Sequence, residues 1–152
     1  MRLFLMTATA AGFALSTFMM AEQAAAVQDT PTTINGVEAV CTGVGSAKDD
    51  PRWKAYPVKI VLATTGGADL ANAHVTLARA GKTGGQILAE TDCDAPWVLF
   101  KAPPGKYTAT ATLIGGSGQS HSASFSTSGS GQKEVNILFS VPPGPASAEA
   151  AR

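Results

Sequence analysis

Residues 102 to 111 read Ala-Pro-Pro-Gly-Lys-Tyr-Thr-Ala-Thr-Ala. Pro103 and Pro104 fix φ and withhold two backbone donors, and Gly105 accepts whatever conformation they leave. The chain must turn tightly here. It then enters a strand with Tyr107, Ala109, Ala111 and Leu113 on one face. A corner feeding a strand in this way is a device of antiparallel β-sandwiches, where the tyrosine packs inward and its hydroxyl bonds nearby backbone.

The rest of the chain carries the same period. Val37 to Val44 reads as a strand broken by Gly43 and Gly45, and Val58 to Thr65 as a central strand, nearly all apolar. Ala73 to Ala80 alternates, with Val75 and Leu77 opposite His74, Thr76 and Ala78. Gly81 to Gly85 turns it into a hairpin with Gln86 to Thr91. Trp97 to Lys101 is a further strand, and Trp97 is expected to pack between the sheets. Lys106 to Ile114, Gln119 to Thr127 and Glu134 to Ser140 follow. Ala123, Phe125, Val135, Ile137 and Phe139 face inward. Seven or eight short strands with glycine-rich turns and no long helix predict an all-β, antiparallel two-sheet sandwich over residues 37–140. A helical turn over Asp50 to Lys54 is expected, with Asp49 or Asp50 as cap and Pro51 at its first position.

The ends differ in composition. Residues 1–26 read as a signal peptide: Arg2, an apolar run from Leu3 to Ala21, then Ala24-Ala25-Ala26 as the cleavage site. The competing reading is a membrane anchor. Residues 27–36 are polar and expected to be loose, and 141–152, with Pro142, Pro143 and Pro145, to be a disordered tail. The exported form would lie in the periplasm of a Gram-negative bacterium or outside the cell. It would leave the membrane after cleavage. Removing residues 1–26 takes away Arg2 and Glu22, so of 11 basic and 11 acidic residues ten of each remain. Such a balance makes no electrostatic case for nucleic acid or an anionic membrane. Cys41 and Cys93 are expected to form a disulfide in an exported chain; two separate buried thiols are the alternative.

Several pieces together carry a family resemblance. They are Ala73-His74-Val75-Thr76-Leu77, Thr91-Asp92-Cys93-Asp94-Ala95-Pro96-Trp97, Pro103-Pro104-Gly105-Lys106-Tyr107, and Thr42-Gly43-Val44-Gly45 upstream of Tyr56-Pro57-Val58. They resemble bacterial exported proteins with a carboxypeptidase regulatory-like domain, a transthyretin-like or immunoglobulin-like β-sandwich. The resemblance covers roughly residues 40–140. It implies an accessory, binding or interaction module without enzymatic activity or cofactor. The cysteine pair is not part of the family's pattern.

Candidate sites follow from residue type. Arg52, Trp53 and Tyr56 lie on a charged loop and suit contact with a protein or glycan partner; covering the open end of the core explains the two aromatics as well. Trp97 has a ligand-platform reading beside its core reading. Metal ligation is not expected. His74 and His121 fall on different strands, His121 in an outward serine-rich stretch, and no His-x-His or Cys-x-x-Cys occurs. Asp92 and Asp94 meeting Asp49 or Asp50 would make a calcium site, but the full loop pattern is missing. No serine sits in a Gly-x-Ser-x-Gly elbow. Lys59 and Asn136 could join as an isopeptide if Glu90 stood beside them. The functions expected are a non-enzymatic module binding protein or glycan through its loops, an assembly subunit pairing by its edge strands, or, third, a transthyretin-related hydrolase.

Overall fold

A computed structural model describes residues 26–81, 85–115 and 118–140. The signal-peptide reading of 1–26, apart from Ala26, and the tail reading of 141–152 fall outside the described residues, as do positions 82–84 and 116–117 of two expected hairpin loops.

Among the described residues nine strands form two packed sheets: β1 (Thr32–Ile34), β2 (Val37–Thr42), β3 (Val58–Thr64), β4 (Ala73–Arg79), β5 (Gln86–Cys93), β6 (Trp97–Phe100), β7 (Gly105–Leu113), β8 (Ser120–Thr127) and β9 (Lys133–Phe139). The five-stranded sheet runs β1-β2-β6-β3-β9 and the four-stranded sheet β5-β4-β7-β8. The core lies between them. Ala39, Val58, Ile60, Leu62, Val98, Phe100, Ile137 and Phe139 come from the first sheet, and Val75, Leu77, Ala89, Tyr107, Ala109 and Ala111 from the second. The alternation read from the sequence sets these faces. A disulfide joins Cys41 on β2 to Cys93 on β5, with Cα atoms 5.6 Å apart, and so ties one sheet to the other.

The all-β two-sheet sandwich is as expected, and three details differ. Residues 27–36, expected to be loose, are hydrogen-bonded into the fold. Ala26 N donates to Asp92 O at 3.1 Å, Asp29 N to Cys41 O at 2.8 Å, and β1 pairs with β2. Asn35 (φ 50°) and Gly36 (φ 81°) make the two-residue turn between them, a conformation that Asn-Gly supplies readily. The sheets are not wholly antiparallel. The chain leaves β8 at the edge of one sheet, and Lys133 N meets Pro57 O at 2.7 Å, so β9 starts level with β3 and runs parallel to it. Trp97 does not lie between the sheets. Val98 and Phe100 take the inward positions of β6, and Trp97 and Leu99 point to the outer face.

The corner forms as expected. The Tyr107 hydroxyl donates to the Pro103 carbonyl, and the fully buried ring lies 5.9 Å from that of Phe125.

Candidate functional site

The outer face of the five-stranded sheet carries a second, smaller core. Two consecutive 3₁₀ turns, Gly45–Asp49 and Pro51–Ala55, cross it between β2 and β3. Asp50 caps the second turn by accepting from Arg52 N at 2.9 Å, and Pro51 stands first. The expected helical turn is therefore there, as a 3₁₀ turn displaced by one residue toward the C-terminus. Its period places Trp53 and then Tyr56 underneath. Both are buried, at 4% and 3% exposure, against Val40 of β2 and Leu99 of β6. Trp53 Nε1 donates to Ala47 O at 2.8 Å, and Gln132 Nε2 bonds Trp53 O at 2.7 Å and Tyr56 O at 3.0 Å. The aromatics fasten the segment to the sheet face, not to the open end of the core.

The turn stands as a ridge with a cleft on each side, and Trp53 lines both. The first cleft, about 240 Å³, is bounded by Lys48, Asp49, Asp50, Lys54, Lys59, Trp97 and Gln132. The second, about 310 Å³, is bounded by Pro31, Glu38, Arg52, Ala55, Tyr56 and Lys101. The four expected binding residues thus share one surface. Trp97 lies in the first cleft, Arg52 and Tyr56 in the second.

The tryptophan rings offer no bare face. Trp97 packs against the backbone of Gly43, where a Cβ would come within 2.6 Å of the ring. Over it sits the Lys59 ammonium, 3.6 Å from the ring centroid and 2.9 Å from Glu134 Oε2. The Arg52 guanidinium lies 4.8 Å from the Trp53 ring centroid. Charges on this surface are mostly paired: Arg52 with Asp50, Lys48 with Asp69, Lys101 with Glu38. The Tyr56 hydroxyl donates to Glu38 Oε1 at 2.5 Å. That bond, then Lys101, holds the Glu38 carboxyl below its ordinary range. Burial, then Glu38, pushes the Tyr56 phenol up. Arg52 keeps the Asp50 carboxyl low.

The other candidates are dispersed. His74 lies on the outer face of the four-stranded sheet, with Nδ1 2.6 Å from Asp92 and Nε2 3.8 Å from Glu90. His121 shares the parity of Ala123 and Phe125 rather than of the serines, and its ring meets Phe139 edge-on at 5.0 Å. Among the described residues no three of His, Cys, Asp and Glu gather as metal ligands, so the calcium group of Asp92 and Asp94 with Asp49 or Asp50 is not assembled. The isopeptide reading fails on placement. Lys59 pairs with Glu134, Asn136 is opposite Val61, and Glu90 belongs to the other sheet.

No family model, no curated protein and no solved structure matches the chain.

Proposed function

We propose that the chain is a non-enzymatic binding module that recognises a polypeptide through the 3₁₀ ridge and its two flanking clefts. One observation carries this reading: aromatics and cations converge on the outer sheet face, yet both tryptophan rings are covered. Sugar recognition favours an open aromatic face, and the ammonium of Lys59 and the guanidinium of Arg52 occupy those places. The exposed Arg52 and the half-buried Trp97, held among paired charges over the buried Trp53 and Tyr56, match the anatomy of a protein interface, in which a few such residues carry most of the affinity. The paired charges leave no field for a polyanion. Reading the module as non-enzymatic rests on the imidazoles: His74 is engaged by carboxylates on an open sheet face, and His121 packs on Phe139 two strands away. The resemblance to carboxypeptidase regulatory-like domains points the same way.

The proposed location is outside the cytoplasm, supported by the signal-peptide reading of residues 1–26 and by the disulfide. A disulfide between β2 and β5 persists in oxidising compartments. Among the described residues no helix is long and apolar enough to cross a membrane.

A photo-crosslinking side chain at position 54, in the first cleft, is compared with one at position 76 on the opposite sheet. A discrete crosslinked polypeptide formed from position 54 and not from 76 supports the reading. No product from 54, or binding on a glycan array that Trp97→Ala abolishes, contradicts it.

A further inference from the structure

The two sheets have four edges, and three are guarded. β1 is three residues long. β5 carries Glu90 and Asp92, has a register shift opposite Leu77/Ala78, and its Asp92 carbonyl already accepts from Ala26 N. β9 opens with Lys133 and Glu134. Charge, brevity and bulges are the usual means by which edges avoid other chains.

β8 has none of them. Its eight residues, Ser-His-Ser-Ala-Ser-Phe-Ser-Thr, contain no Lys, Arg, Asp, Glu, Pro or Gly, and they pair with β7 without a register shift. The bond from Leu113 N to Gln119 O, 2.9 Å, fixes the alternation of the ladder. His121, Ala123, Phe125 and Thr127 take the hydrogen-bonded positions opposite β7. Ser120, Ser122, Ser124 and Ser126 take the others, where strands approach most closely. The side chains agree: Thr108–Ser124, Thr110–Ser122 and Thr112–Ser120 hydroxyls meet at 3.0, 2.7 and 2.9 Å. The backbone N–H and C=O of these four exposed serines therefore point away from β7. Among the described residues no strand pairs with them.

We infer that β8 pairs with β8 of a second copy of this chain, antiparallel about a twofold axis through Ala123. This register is the one that uses every free group. It sets Ser122 opposite Ser124 and Ser120 opposite Ser126 in both directions, all as hydrogen-bonded pairs. Ala123 meets its own copy where side chains come closest, and alanine is small enough. His121 falls opposite Phe125, an aromatic cross-strand pair. A strand without charge suits its own copy because no like charges are opposed. A twofold contact closes on itself and ends at a dimer rather than a filament. The two four-stranded sheets become one continuous sheet, and the 3₁₀ ridges on the other sheets stay free.

Light scattering of the full chain across a concentration series tests this, alongside Ser124→Pro and Ser124→Lys. Proline removes an N–H that β7 does not use, and lysine places like charges near the axis. The expected result is a dimer mass for the unaltered chain, at least tenfold weaker association in both variants, and faster amide exchange at Ser120, Ser122 and Ser126 in the lysine variant. The melting temperature of the lysine variant at high dilution shows that it folds. A monomer mass at every concentration, or a dimer equally tight in the folded lysine variant, overturns the inference.

Discussion

Gly43, Trp97 and Lys59 form a stack in which each member depends on the next. Gly43 has φ +100°, a conformation that side chains seldom adopt, and any Cβ there would strike the Trp97 ring. The ring in turn supports the Lys59 ammonium. Gly43→Ala is therefore expected to destabilise by about 1–3 kcal/mol through backbone strain and displacement of the ring; a chemical melt measures it, and the Trp97 fluorescence should shift as well. Tyr107→Phe removes one donor from a buried corner and is expected to cost about 1 kcal/mol, again read from the melt. The tyrosine was legible in the sequence because the Pro-Pro-Gly turn fixes where the strand begins. Trp97 was not. Trp97-Val98-Leu99-Phe100 is apolar at every position, so alternation cannot say which residues face the core, and here both faces of the strand are covered.

Among the elements, the 3₁₀ ridge and the β1–β2 hairpin show what local signals convey. The cap at Asp50 and the proline at 51 announced the second turn. That its aromatics pack on the outside of a sheet depends on a tertiary neighbour, Leu99 of β6, which no local pattern reveals. The hairpin carried an Asn-Gly signal at 35–36 that the polar run before it obscured. With only three residues, β1 has too short a period to register as a strand. The ridge also has an acid-sensitive contact. The folded state depresses the Glu38 pKa, through the Tyr56 hydroxyl first and Lys101 second. Folding thus gains from the ionised form above the carboxyl's ordinary value of 4.5 and loses that gain as pH falls through the lower folded value. Between about pH 5 and 3 the unaltered chain is expected to lose melting temperature more steeply than Glu38→Gln. The Tyr56 phenol behaves oppositely: its raised pKa keeps stability below the ordinary value and loses it as pH rises through the folded one.

At the scale of the molecule, the sandwich has two unlike outer faces. The five-stranded sheet presents aromatics and paired charges under a 3₁₀ ridge, and the four-stranded sheet presents rows of threonine and serine. The strands β2 to β9, most of their core faces and the corner were readable because glycine and proline punctuate an alternating chain. The parallel β3–β9 ladder was not, since sequence marks a strand but not its neighbour. The disulfide binds the faces together across a separation of 52 residues. Replacing both cysteines by alanine is expected to cost on the order of 4 kcal/mol, as measured by denaturant unfolding. The ridge as a polypeptide-binding surface is tested most directly by Arg52→Ala, because this side chain is exposed, its ion pair is with the nearby Asp50, and its guanidinium lies over the Trp53 ring at the surface of the ridge. Crosslinked product captured from position 54 is predicted to fall at least tenfold, the scale of a single interface hot spot, with the melting temperature held within about 2 °C. Undiminished capture in that folded variant would contradict the assignment.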